Sequence, residues 1–401
     1  MNVLRIETRL PASRHAVYTC WTFANMLSHW LCERATVDLR PGGVLSLSWY
    51  RGHWAAGIYS AVEPEQRLAF SWLEHNAPGA TQIEVTFADA GSDTSITLTQ
   101  SGFGSGDAWE AYRSAQESEW AQRLADLHVL LETANDARYL RRPVLGVSIE
   151  PLSQSRAAAL GLREGHGVQL TAAPEDGPAG QAGLQPGDAI ASIGGVPMHG
   201  FSDISVITSR FAAGDVVEVA YARAGRMHTT VMTLGKREPA HYPHDRESLY
   251  TLVRERIEQV ETDLTALFDG VAEEHLQARP AEGEWSANDV LAHLIWTERW
   301  TQQALWLMHT AGVEMRWGEN NPFEIDGIRE QYPTSAELLP LLRRTLREEL
   351  RMIASIDDRT ASIKPLFALM SGWLTFIDAH LREHFEQISA AIAAARQRQP
   401  A

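Results

Sequence analysis

The sequence predicts a multidomain α+β chain in three parts: an α+β domain with a curved sheet around one long helix, a small β-rich domain, and an all-α four-helix bundle. Three observations carry this. A length of 401 residues is more than one hydrophobic core normally supports. The thirteen tryptophans form two groups, Trp21 to Trp120 and Trp285 to Trp373, around a Gly-rich stretch that has none. The apolar pattern is mainly of period two in the first part and helical throughout the last. The expected domains are 1–136, 141–237 and 244–398, joined by the basic run ARYLRRP (137–143) and the polar run KREPAHYPHDRES (236–248).

Composition narrows the partners. Lys+Arg 35 against Asp+Glu 51 gives a net charge of −16. Such a balance argues against nucleic acid, whose phosphates need basic patches, and against anionic membrane surfaces. No apolar run reaches the roughly 18 residues that span a bilayer. The start, MNVLRIETRL, alternates like a strand and lacks the apolar centre of a signal peptide, so a cytoplasmic protein is expected. Cys20 and Cys32 lie in apolar surroundings and read as buried, reduced thiols.

In the first domain, residues 3–10 alternate as a strand, and Ser13 is placed to cap a helix. Alternating runs follow at 44–50, 55–62, 67–75, 82–88 and 94–102, separated by turns at 41–43, 63–66 and 90–93. Asp107 to Glu132 is an amphipathic helix whose Trp120, Leu124, Leu127, Leu130 and Leu131 repeat at helical spacing. Such a sheet commonly leaves a cavity beneath its helix. The blocks SRHAVYTCWT, PGGVLSLSW, GIYSAVEPEQRLAFSW, TSITLTQSGF and WAQRLADLHVLLE resemble the activator-of-heat-shock-protein-90-ATPase-like branch of the START/SRPBCC helix-grip superfamily. The resemblance covers the whole domain. It implies a pocket for a small apolar molecule, with Trp21, Trp49, Trp72 and Trp109 as lining residues. His53 and His75 read as surface or strand-end histidines.

The middle domain holds AGQAGLQPGDAIASIGGVPMHGFSDI (179–204), in which Gly183 and Pro186-Gly187 supply tight turns and Asp188 bonds its own turn. A strand, a short helix from about Ser202 to Phe211 and two final strands follow. This resembles a PDZ domain of the bacterial HtrA type. The resemblance implies that Leu145, Gly146 and Val147 of VLGVSI receive the C-terminal carboxylate of a peptide, facing Ile204, Ile207 and Thr208 on the helix. No G-x-S-x-G motif or Ser/His/Asp arrangement accompanies it.

The last domain is helical. Leu249, Leu252, Val253, Ile257, Val260, Leu264 and Leu267 form one stripe, and capping boxes at Ser286/Asp289 and Thr334/Glu337 open two further helices. A fourth runs from about Pro365 to Arg396, with Ile377, Leu381, Ile388 and Ile392 facing inward. The connection from Gly312 to Tyr332 is long enough to cover one end of the bundle. In the fourth helix His380 and His384 stand one turn apart, so both rings can reach one ion, and His293 lies two turns inside the second helix. EWSANDVLAHL, YPTSAELLPLLR and HLREHFEQI resemble the DinB-like four-helix bundle superfamily. In that family one histidine of the second helix and two of the fourth bind a divalent metal, and all three positions are filled here. Three imidazoles suit zinc, nickel or similar ions, with Asp289 and Asp378 as outer-shell carboxylates.

Two readings of function follow. In the first, the bundle uses a divalent metal for thiol transfer or hydrolysis on a small molecule in stress or detoxification, while the helix-grip domain holds an apolar compound. In the second, the chain is a non-enzymatic adaptor that senses a ligand and binds a protein C-terminus.

Overall fold

The computed structural model describes residues 3–398 apart from 153, 161, 163–165, 244, 282, 314 and 316–320. The first sheet has seven antiparallel strands: β1 (Leu4–Leu10), β2 (Arg34–Val37), β3 (Val44–Ser48), β4 (Trp54–Glu63), β5 (Arg67–Glu74), β6 (Thr81–Ala90) and β7 (Asp93–Ser101). Their order is β1-β7-β6-β5-β4-β3-β2. Strand β1 returns to β7 in register from Leu4↔Gln100 to Leu10↔Thr94. Strand β2 was not anticipated. It has four residues, too few for alternation to stand out, and sits at the sheet edge. Helix α1 (Arg14–Thr22) starts where Ser13 accepts the Ala16 amide at 3.3 Å, a cap worth about 1 kcal/mol. The turn α2 (Ala24–Leu27) follows it. Helix α3 (Asp107–Thr133) buries Trp120, Leu124, Leu127, Leu130 and Leu131, so its apolar stripe faces the core. Cys20 and Cys32 are free and buried, and burial pushes both thiols up to about 12.

Helix α3 ends at Ala134, whose φ of 60° is left-handed and normally taken by glycine. Ala134→Gly is therefore expected to stabilise the protein by about 1 kcal/mol, read as a rise in the urea midpoint at unchanged slope. The expected basic joint is instead a short helix, α4 (Ala137–Arg141). Asp136 caps it through the Arg138 and Tyr139 amides, and Arg141 reaches back to Asp126 of α3 at 2.7 Å.

The middle segment forms a second sheet, β13-β12-β10-β9-β8, with β11 paired to β10. Its strands are β8 (Ser148–Pro151), β9 (Val168–Ala172), β10 (Ala189–Ile193), β11 (Val196–Pro197), β12 (Val216–Arg223) and β13 (Arg226–Thr233). Helices α5 (Gln154–Ala159), α6 (Pro178–Gln181) and α7 (Phe201–Thr208) flank it. Asp188 accepts the Gln185 amide at 2.8 Å and an Arg223 guanidinium at 2.6 Å, which fixes the turn ahead of β10. Val168, Leu170, Ile190, Val219 and Ile207 lie in an apolar core of this segment's own.

The last segment contains α8 (Arg246–Phe268), α9 (Glu273–Gln277), α10 (Ala287–Ala311), α11 (Pro322–Gln331), α12 (Ser335–Ser355), α13 (Asp358–Ala361) and α14 (Lys364–Arg398). The Ser286/Asp289 and Thr334/Glu337 boxes open α10 and α12. The connection expected to be irregular from Gly312 to Tyr332 carries α11. Pro322 at its first turn and the buried pair Ile325 and Ile328, three apart, give that stretch a helical start and an apolar face. Gln302 bonds the Thr345 carbonyl at 2.7 Å and Trp300 meets Trp373 at 5.6 Å, placing α12 and α14 against α10.

The first and last segments are joined directly. Gly312 closes α10 at φ 62°, and a Cβ there would lie 2.4 Å from the Phe23 ring. The Asn25 amide donates to the Gly312 carbonyl at 2.8 Å, and its side chain to Met308 at 3.1 Å. Arg359 pairs with Glu65, which also takes His15 at 3.0 Å. The apolar residues of the two segments form one continuous core.

Candidate metal centre

Helix α10 puts His293 on its buried face, and α14 presents His380 and His384 from the opposite side. The three rings converge. His293 Nε2 lies 3.1 Å from His384 Nε2, which lies 3.1 Å from His380 Nε2. A tetrahedral ion with bonds of about 2.0–2.1 Å needs ligand nitrogens about 3.3 Å apart, so the spacing fits. His384 Nδ1 donates to Gln387 Oε1 at 2.7 Å, which leaves its Nε2 lone pair facing the other rings. Burial, and then the charges of His384 and His380, hold His293 down to about 3. Burial and His384 hold His380 at about 4. His293 and His380 thus offer uncharged nitrogens at neutral pH, and three imidazole nitrogens are a set suited to late divalent cations. His293, His380 and His384 are the group of metal-type donors that meet within 4.8 Å among the described residues.

The site borders a cleft of about 790 Å³ lined by Pro280, Trp285, His384, Gln387, Ala391 and Ala394 among others. Trp285 also packs on His293 at 4.9 Å between ring centroids. Asp289, expected to support the imidazoles, is engaged elsewhere. Its carboxylate takes the Ser286 amide at 3.0 Å, Arg279 at 3.0 Å and Arg329 at 3.2 Å. Burial pushes Asp289 up, but the Ser286 hydrogen bonds and the two guanidinium charges hold it below the ordinary carboxylate range. It anchors the start of α10 rather than a ring. The side chain of Asp378 lies outside the described residues.

Beneath α3, the four expected pocket tryptophans fall in two places. Trp21 and Trp72 are buried against Trp120, at 6.0 and 5.5 Å. Trp49, with Trp72 and Trp120, surrounds the Arg123 guanidinium at 5.0–5.9 Å. Trp109 belongs to a cluster with Phe103 and Tyr112. Glu74 is the polar centre of this region and was not singled out from the sequence. It accepts Gln116 at 2.6 Å, His53 at 2.9 Å and Arg123 at 3.0 Å. Burial raises its pKa, but the charge of Arg123 and bonds from His53 and Arg123 bring it below the ordinary value. Strand parity carried the signal: Glu74 shares the inward face of Phe70 and Trp72. His53 is therefore not simply a strand-end histidine.

In the middle segment, Leu145, Ile207 and Thr208 are buried and Val147 and Ile204 half-buried. A Cβ on Gly146, at φ 66°, would lie 2.7 Å from Pro178, so glycine is required there. The edge strand β8 lies beside α7.

Residues 11–132 match the family model described as Activator of Hsp90 ATPase homolog 1-like protein, and residues 256–388 match the DinB superfamily. The chain carries an Aha1-like domain and a DinB-like domain. Among curated relatives, the magnetosome formation protease MamE of Magnetospirillum gryphiswaldense is 30% identical over 95 residues, 24% of this chain and 12% of that protein. A probable periplasmic serine endoprotease DegP-like of Pseudomonas savastanoi pv. phaseolicola is 30% identical over 112 residues, 27% of this chain and 23% of its own. The chain thus spans less than a quarter of the length of these relatives. Among solved structures, a Mesorhizobium loti protein matches at TM-score 0.30 and 20% identity, over 32% of this chain and 96% of that one. The Aha1 dimer from Colwellia psychrerythraea matches at TM-score 0.30 and 18% identity, over 33% and 97%. No described helix is long and apolar enough to cross a membrane.

Proposed function

We propose that the DinB-like domain binds one late divalent ion, zinc or nickel, through His293, His380 and His384, and acts in thiol transfer or hydrolysis on a small molecule in stress or detoxification. The observation that carries this is the convergence of three imidazole Nε2 atoms beside a cleft large enough for a small substrate. His293, His380 and His384 would hold the ion, which when bound would supply Lewis acidity to a thiol or water. The chain's own contribution is positioning. Gln387 fixes the His384 ring, Trp285 walls the cleft, and Ala391 and Ala394 offer an apolar surface to the substrate body. The test is consumption of glutathione in the presence of 1-chloro-2,4-dinitrobenzene, and of p-nitrophenyl acetate without thiol. The metal-loaded full chain is expected to turn over one of them, and His384→Ala neither. Stoichiometric metal without turnover of either would favour the adaptor reading.

The middle segment serves in this reading as a PDZ-type module for protein C-termini. Among the described residues, the amides of Leu145, Gly146 and Val147 have no backbone acceptor, and they lead into the edge strand β8. Amides free to receive a carboxylate, beside an edge free to receive a strand, suit peptide capture. The matches to MamE and DegP-like proteins, 95 and 112 residues long, are of this segment's size. A peptide ending in a free apolar residue is expected to bind at least ten-fold more tightly than its C-terminal amide, measured by fluorescence anisotropy. Equal affinities would count against the module. The Aha1-like interior is assigned a small apolar ligand bearing a polar group, because Trp21 Nε1, Trp120 Nε1 and Gln116 Oε1 are buried there without hydrogen-bond partners. Free buried thiols at Cys20 and Cys32 agree with a cytoplasmic setting.

A further inference from the structure

A second cleft, of about 550 Å³, lies where the Aha1-like domain, the 236–248 connector and the bundle meet. Its volume is within the range of small-molecule sites, which favour domain junctions. The end of α3 contributes Val129 and Ala134, the connector contributes Pro239 and Tyr242, and the start of α14 contributes Lys364 and Phe367. The junction is built rather than incidental. The Ala240 amide donates to Asn135 Oδ1 at 2.9 Å. Tyr242 packs so closely on α14 that a Cβ on Gly372 would sit 3.1 Å from its ring. The left-handed Ala134, a strained backbone position for a residue with a side chain, is one of the lining residues.

The walls are mainly apolar, and Lys364 is the only Lys, Arg, Asp or Glu among the lining residues. Its ammonium donates to the Glu132 carbonyl, which fixes it at the rim and leaves two further N–H groups. One fixed cation at the edge of an apolar cleft is complementary to a molecule with an apolar body and a single anionic end. On a chain of net charge −16, such an anion needs a local cation to be accepted at all.

We infer that this junction is a binding site for an amphipathic monocarboxylate, its carboxylate on Lys364 and its apolar body against Val129, Tyr242 and Phe367. The ligand would touch both the end of α3 and the helix that, further along, carries His380 and His384. The site is separate from the imidazole cluster and does not depend on metal.

Isothermal titration of the full chain with decanoate and with decanamide tests this. Decanoate is expected to bind at one per chain and decanamide at least ten-fold more weakly. Lys364→Met is expected to bring decanoate down to the amide's affinity. Ala240→Trp, at an exposed position on the rim, is expected to weaken both at least ten-fold. The inference is overturned if decanoate does not bind or binds no better than the amide. It is equally overturned if both variants bind decanoate as the parent does, which would place the ligand elsewhere, as in the Aha1-like interior.

Discussion

Protein purified without chelator is expected to carry one divalent ion per chain, and His293→Ala and His384→Ala are expected to carry none. Elemental analysis after gel filtration reads this directly. Losing an outer hydrogen-bond partner of a metal-bound histidine costs about 10- to 100-fold in affinity. Removing a ring should cost more than about 100-fold, while Gln387→Ala, which frees the His384 ring, should fall within that range. His384 is half-buried, so its variant tests binding without opening the core as His293→Ala does. The pH dependence has a definite sign. The His293 and His380 pKa values are depressed, to about 3 and about 4, from an unfolded value near 6.5. Their contribution to the stability of the metal-free protein is therefore complete above about pH 6.5, and it is lost as pH falls toward those values. Bound metal should be released by acid over the same window, since protons compete for the same nitrogens. A folded preparation without metal at neutral pH, after incubation with excess zinc or nickel, would remove the basis of the proposed chemistry.

Glu298→Gln is expected to stabilise the protein above neutral pH. Glu298 on α10 and Glu349 on α12 are both fully buried in the bundle, and among the described residues no donor side chain or amide reaches Glu298 Oε1 or Oε2 or Glu349 Oε1. The two carboxyls are neighbours, and each acts on the other's acidity. Burial, with the neighbouring charge of Glu349, pushes Glu298 well up, and burial pushes Glu349 up as well. A raised carboxyl pKa means the folded state binds more protons than the unfolded state. Stability is complete below the unfolded value, about 4.3, and declines as pH rises toward the folded one. An uncharged amide keeps the shape and removes the part of that decline that Glu298 causes, leaving that of Glu349. A tenfold difference in acidity between the folded and unfolded states corresponds to about 1.4 kcal/mol, and a gain of about that size or more is expected at pH 8, shrinking toward pH 4.5. Urea unfolding at both pH values checks it. A variant less stable than the parent at pH 8 would mean that the acid pair is satisfied by something its surroundings do not reveal.

Local patterns were legible where one short stretch contained all the information. Ser13, Ser286/Asp289 and Thr334/Glu337 cap the helices expected of them, because a cap and its partner lie within three residues. The i, i+4 pair His380 and His384 needed only helical geometry. Where a signal was short or spread over distant strands it was missed. The four-residue β2 and the helices α4 and α11 were too brief for periodicity to declare them. Glu74, His53 and Arg123 come from separate elements whose only link is the sheet closing on α3.

By itself the chain's text determined three stretches of differing periodicity, their helix starts, and three histidines able to share an ion. Only the tertiary structure decided that the first and last stretches pack through one core across Gly312 and Phe23, that Asp289 serves a helix cap and two arginines, and that two glutamates face one another inside the bundle. Periodicity and capping are properties of neighbours along the backbone. Burial, neighbouring carboxyls and junction clefts depend on which surfaces meet after the chain has folded, and no local spacing encodes that.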